Sequence, residues 1–420
     1  MSNTSALLNS QFRIYFIASC FATLAVWMIR FLLAWLIWQQ TTSFFWVGVA
    51  STSLLLPSLI ITPIFGVISD RVNLRRGMIY WLACQATVTL LAIGLLRFSP
   101  LSLALLLTLT FAFGAIAAAG SPLRLALIPR LVSPDELSNA VGLGAMVFNS
   151  SRIVAPAIAA WCLTFMSPSG VLVLAGLAFL TAALLNLLLD EHASPAGRTA
   201  SSRPANGWQE FTAGVRFSWS DPAIRLLCTL TLINSQVARS LMELLPALSG
   251  LFTAGTATDL ATLSAFAGAG SILGGWYMST LGRDTRRLVR VLIGAMFFTA
   301  LAIVPLLFRL SIWPMSVFIG LISLLMTLLG TGSQILLQRQ TVDGMRGRVL
   351  SLWITLAIAG AALGALIMGA IAEFLGFPVM LSLMLLLSLL STAWLSRRGS
   401  LIYDRALPAD PLTTTLQPQP

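Results

Sequence analysis

The sequence predicts an all-α polytopic membrane protein with 12 transmembrane helices in two pseudo-symmetric six-helix bundles. Three observations predict it. Hydrophobic residues make up 57% of the chain and charged residues only 9%, with mean hydropathy +0.90; soluble domains carry roughly 25% charge. Twelve apolar runs reach the roughly 20 residues that a helix needs to cross the hydrocarbon. A single shift of 209 residues lays the second six runs on the first six at several unusual positions.

The first run, near 14–38, exceeds the roughly 7–15-residue apolar core of a secretory signal and lacks a small-residue cleavage site after Trp38. It holds Arg30, inside AVWMIRFLLAW. A guanidinium at the centre of a membrane helix costs roughly 2.5–3.5 kcal/mol on insertion scales, so it needs a partner, a wet cavity or a task. Ser19 and Thr23 lie on the arc below it and Trp27 beside it. The second run, 44–65, leads into GVISDRVNLRR, residues 66–76. There Gly66 is expected to let the helix end pack closely, Asp70 to accept hydrogen bonds from a helix N-terminus, and Arg71, Arg75 and Arg76 to hold the loop in the cytoplasm. Asn73 suits a left-handed backbone better than any residue but glycine.

Runs three and four, 77–96 and 101–121, precede the fifth, 140–165, which carries SRIVAPAIAA. Small residues four apart let helix backbones approach, and Pro156 bends the helix. The sixth run, 170–189, closes the first half. A polar stretch follows whose first part, rich in Ser, Ala, Pro and Gly, reads as a linker. Its second part, WQEFTAGVRFSW, suits a short interfacial helix or a helical lead-in to the next span. Run seven, 224–249, puts Ser235, Gln236, Arg239 and Glu243 on one helical face, with Arg239 and Glu243 an i, i+4 pair. Runs eight to ten (260–280, 288–308, 312–337) lead to the eleventh, 349–373, with Gly360, Gly364 and Gly369, and the twelfth spans 377–395. The expected organisation is therefore a six-helix bundle over 1–189, a cytoplasmic linker over 190–222, a second bundle over 223–396 and a tail over 397–420.

At the 209-residue offset Gly66 falls on Gly275, Arg130 on Arg339, and Ser151, Ala155 and Ala160 on the three glycines of run eleven. Arg30 falls on Arg239. Parallel six-span repeats of this kind are an architecture of secondary transporters.

All 25 basic residues are arginine. With twelve spans drawn, twenty of them fall on one side, Arg97 and Arg309 on the other, and Arg30, Arg152 and Arg239 within spans. The positive-inside rule then puts both termini in the cytoplasm. The net charge of +11 is this topological signal, and no nucleic acid partner is expected. Without lysine there is no GK[ST] phosphate loop, and with one histidine there is no HExxH zinc site. No metal or cofactor is expected, and no GxSxG nucleophile occurs, so an enzyme is not expected. Cys20, Cys84, Cys162 and Cys228 lack metal-type spacing and read as buried thiols.

The 66–76 stretch resembles the loop motif of the major facilitator superfamily: Gly66, Asp70, Arg71 and Arg75 match, while Asn73 and Leu74 depart from it. The 151–160 stretch is similar to that superfamily's antiporter motif, with Pro156 in place and Ser or Ala for its glycines. Together with 122–140, 211–227 and 346–353, the chain looks like the enterobactin and siderophore exporter branch. The resemblance implies a multi-pass exporter of the bacterial inner membrane; twelve spans are enough for a monomer to enclose a path, and the charges within them lead to the expectation of a small-molecule anionic substrate moved against protons. It gives Gly66, Asp70, Arg71, Arg75 and Pro156 roles in conformational gating. It also sets Arg30 and Arg239 on facing walls of one cavity.

Guanidinium forks suit carboxylate, catecholate and phosphate oxygens, so Arg30 and Arg239, with Gln236 and Trp27, are candidate substrate-binding residues. Glu243 is the candidate proton-coupling acid. The competing reading is structural: Glu243 neutralises Arg239, and Arg30 pairs with a carbonyl or snorkels. Multidrug efflux and organic-anion uptake remain the alternative functions.

Overall fold

The computed structural model describes residues 6–69, 72–98, 102–133, 135–190, 207–253, 255–281, 284–308 and 310–403. Among these, every regular element is helical. The first half contains α1 (Ser10–Thr41), α2 (Phe44–Leu55), α3 (Ser58–Ser69), α4 (Leu74–Phe98), α5 (Leu103–Leu131), α6 (Leu137–Leu163) and α7 (Pro168–Leu187). After α8 (Gly207–Ser220) come α9 (Pro222–Asn234), a π-helical turn (Ser235–Arg239), α10 (Ser240–Glu243) and α11 (Leu245–Phe252). Then follow α12 (Ala257–Thr280), α13 (Thr285–Ile303), α14 (Ile312–Gln340), α15 (Asp343–Phe374), α16 (Phe377–Arg398) and the short α17 (Ser400–Tyr403).

Ten segments among the described residues are long and apolar enough to cross a membrane, with α2 and α3 counted together as Phe44–Gly66. The remaining two expected runs differ for separate reasons. Run eight is one helix, α12, but its Gly, Ser and Thr content dilutes its apolarity. Run seven is broken: the π turn interrupts it, and Leu244 leaves helical geometry just before Pro246, whose ring cannot continue an unbroken α-helix. Large apolar side chains such as Trp161, Leu184 and Trp276 stand on the outside, as a lipid-solvated surface requires.

Helix α1 packs against α5, α6 and α7, and α4 against α5 and α7; in the second half α14 packs against α9, α12 and α13, and α15 against α9 and α16. Contacts between the halves run through α2 with α15, α6 with α12, and α1 with α11. These crossings are close because the residues are small. A Cβ at Gly48 would strike the Ala365 carbonyl, and one at Gly369 would lie 2.6 Å from the Phe44 carbonyl oxygen. Thr52 Oγ1 donates to the Ala362 carbonyl at 2.7 Å.

One end of the crossing is tied shut. Gly255, at φ +66°, turns its carbonyl toward α1, where it accepts from Trp35 Nε1 at 3.3 Å and Gln39 Nε2 at 2.7 Å. The Trp38 ring lies against Gly250, where no side chain would fit. The Phe44 amide donates to Glu373 Oε2 at 3.0 Å. This is the end carrying the α1–α2 and α11–α12 connections.

The loop after α3 corrects two expectations and leaves one outside the described residues. A Cβ on Gly66 would meet nothing within 4 Å, so close packing does not explain it. Asn73 has no positive φ; its Oδ1 instead caps α4 by accepting from the Arg76 amide at 3.1 Å. Arg75 donates to the Asn186 and Leu187 carbonyls at the end of α7, satisfying acceptors that the helix leaves open. Asp70 and Arg71 lie outside the described residues. The 207–220 stretch forms a helix of its own, α8, which rests Gly214 on Arg348 of α15, and Asp221 then caps α9. Trp219 is 70% exposed on its outer face. Cys162 and Cys228 are buried, but Cys84 is exposed, correcting the expectation for that thiol.

Candidate functional site

Where the halves meet they enclose a cavity of about 390 Å³. Helical periodicity determines its lining. On α1, Thr23, Trp27, Arg30 and Ala34 recur at spacings of four and three and form one face; on α6, Phe148, Arg152 and Pro156 do the same at spacings of four. The broken seventh segment supplies Arg239, Glu243 and Pro246, and α5 supplies Thr110, Ala117 and Arg124 at intervals of seven. Four guanidinium groups and one carboxylate therefore share the wall.

The carboxylate bridges the halves. Arg30 Nη2 donates to Oε1 and Oε2 of Glu243, each at 2.6 Å, with side-chain exposures of 27% and 13%. The ion-pair and hydrogen-bond partner of Glu243 is Arg30, 213 positions away, while its charge also acts on the neighbouring Arg239. Ser51 Oγ of α2 also reaches the Glu243 backbone carbonyl, at 3.3 Å. The Arg30 guanidinium lies 5.1 Å from the centre of the Trp27 ring, and that ring is braced edge-on by Phe148 at 5.6 Å.

Glycines of α15 make room for the π turn. A Cβ at Gly360 would come within 2.8 Å of the Ser235 Cβ, and one at Gly364 within 3.0 Å of Gln236 Oε1 and of the Ser240 Cβ. Gln236 Nε2 donates to the Gly360 carbonyl at 3.3 Å, and the Ser240 hydroxyl bonds back to the Gln236 carbonyl. The structure thus sets Gln236 against α15, apart from the cavity lining. Arg239, Arg30, Trp27, Glu243 and Pro156 all line the cavity.

Two further arginines belong to the site. Arg152, which the sequence places within a span, is close enough to Arg239, Arg30 and Glu243 to feel all three charges. Arg124, assigned in the sequence to the cytoplasmic side, lines the cavity. Its place is prepared one turn earlier. A Cβ at Gly120 would collide with the Trp81 indole, so glycine lets that ring lie against α5, where Trp81 Nε1 donates to the Ile116 carbonyl at 2.8 Å. The Arg124 guanidinium rests over the same ring, 5.7 Å from its centre. The signal in the sequence was the Thr110, Ala117, Arg124 spacing, masked because the apolar run stops short of a helix that continues to Leu131.

An all-helical, multi-spanning chain with a polar cavity between helices from both halves defines a membrane transporter. The family model described as transmembrane secretion effector, of the major facilitator superfamily, matches residues 1–409, and the chain belongs to this family. It is 26% identical over 336 residues to an uncharacterised MFS-type transporter, y4rN, of Sinorhizobium fredii, covering 76% of this chain and 77% of that one. Among solved structures it is similar to a mutant of the nucleoside transporter NupG, with TM-score 0.75 at 10% identity over 92% of this chain and 99% of that one. A bacterial homologue of the lysosomal transporter Spinster, in an inward-facing unoccupied conformation, gives TM-score 0.69 at 13% identity over 96% and 100% of the two chains. At these identities the likeness is one of fold.

Proposed function

We propose that the protein is a secondary active transporter that moves a small anionic or metal-chelating metabolite, such as a siderophore, by alternating access between two six-helix bundles. The observation that carries this reading is the Arg30–Glu243 pair, joining the halves inside an arginine-lined cavity. Arg30 and Arg239 form the anion clamp, Trp27 orients the first of them, and Gln236 positions the second through α15. With termini in the cytoplasm, the closed end around Gly255 faces outward and the cavity loads from inside. Efflux is the direction favoured by the exporter resemblance and by the family's description as secretion effectors. An arginine-rich wall disfavours lipophilic-cation drugs.

The pair also bears on coupling. Ionised Glu243 competes with any incoming anion for Arg30; protonated, it releases the guanidinium. Proton and anion therefore favour each other in this cavity, which supports a second reading, proton–anion symport, over the antiport that the exporter resemblance implies. Purified protein in proteoliposomes separates the two. Anion movement that acidifies the compartment it enters supports symport, and anion movement that acidifies the compartment it leaves supports antiport. Undiminished transport by Arg30→Ala and Arg239→Ala variants present at normal amounts would sink the clamp, and proton coupling intact in Glu243→Gln would remove that residue's role.

A further inference from the structure

Arg30 has a carboxylate partner, whereas Arg124, Arg152 and Arg239 have no ion pair and no side-chain hydrogen bond among the described residues. Four guanidinium groups share one carboxylate in the lining, and such an excess of like charge in a partly dehydrated cavity is a standing cost to the fold. Arg152 stands in the field of two other guanidinium groups and of one carboxylate, Glu243, which is already bonded to Arg30. A lone anionic group between Arg30, Arg152 and Arg239 would leave Arg124 uncompensated. Arg124 is nevertheless built to stay in place: Gly120 seats Trp81, the Ile116 carbonyl fixes the indole, and the guanidinium lies on the ring with its fork unengaged.

We propose that the cavity takes a compact aromatic polyanion carrying at least two separated anionic groups, one held among Arg30, Arg152 and Arg239 and the other by Arg124 on its Trp81 shelf. The inference rests on the anion-transport reading and adds valence, size and shape to it. The volume of about 390 Å³ lies at the low end of the roughly 300–1,000 Å³ usual for small-molecule pockets, which makes the substrate compact. The aromatic side chains of Trp27 and Phe148 among the lining residues suit a planar ring between the charged groups.

The test uses the full chain in lipid nanodiscs, with calorimetric binding of benzoate, isophthalate and benzene-1,3,5-tricarboxylate at one low ionic strength. Affinity is expected to rise at least tenfold from benzoate to the tricarboxylate, about 1.4 kcal/mol. Arg124→Gln is expected to remove that gain, Arg124→Lys to restore part of it, and Arg239→Gln to weaken all three probes. Circular dichroism and elution volume check that each variant is folded. Equal affinities across the series, or an Arg124→Gln loss as large for benzoate as for the tricarboxylate, overturn the polyanion while leaving the anion transporter standing. No binding by any probe to folded wild-type protein overturns both.

Discussion

Replacing Glu243 with glutamine keeps the shape of the side chain and removes its charge, so it isolates what the Arg30–Glu243 pair does for the closed end. Hydrogen bonds to charged groups contribute about 1.5–3 kcal/mol. The two side chains are 27% and 13% exposed, so solvent screening takes the figure to the lower part of that range, about 2 kcal/mol. Were all of it spent holding the halves together, its loss would shift the closed-to-open ratio roughly thirtyfold. The assay is labelling of a cysteine at Ala34, on the cavity wall, by an impermeant thiol reagent supplied from the side of the α1–α2 connection, in a background without the four native cysteines. Glu243→Gln should raise the labelling rate by ten- to thirtyfold. Arg30→Gln combined with Glu243→Gln should add little to either alone, as contacting partners behave in a double-mutant cycle. Unchanged labelling in Glu243→Gln, or fully additive effects in the double variant, would refute the reasoning.

Further outcomes follow from the same geometry. Ala34 occupies the position that the 209-residue offset assigns opposite Glu243, so Ala34→Glu should give Arg239 the carboxylate it lacks, slowing transport and lowering tricarboxylate affinity by about tenfold. Gly360→Val places a branched side chain where even a Cβ comes within 2.8 Å of Ser235; an overpacking cost of about 1–3 kcal/mol should appear as a lower unfolding temperature in detergent. Gly120→Ala should displace the Trp81 ring, altering tryptophan emission and weakening tricarboxylate binding more than benzoate binding.

Much of the fold was legible because membrane insertion imposes a local rule: backbone groups in hydrocarbon must be satisfied within the segment, so long apolar runs become helices. Ten expected runs appear as long apolar helical segments among the described residues. Pro246 marks the loosened end of the seventh run, but nothing local in SQVAR announces its π turn; the glycines that accommodate that turn lie on α15, more than a hundred residues away. Arg30 and Arg239 were legible as anomalies within apolar runs, and both line the cavity. Arg124 was not, because a helix of 29 residues, about 44 Å long, outruns its apolar stretch and carries an arginine that composition alone assigns to the aqueous loop.

By itself the sequence determined the class of environment and the helical content, since each follows from residue types within one segment. Only the tertiary structure decided which charges meet. Glu243 lies four residues from Arg239 and 213 from Arg30, yet bonds to the distant one, because the small-residue crossings of α2 and α15 bring the other half within hydrogen-bonding reach. Ion pairing depends on a few ångströms in space, and sequence separation carries no measure of that distance.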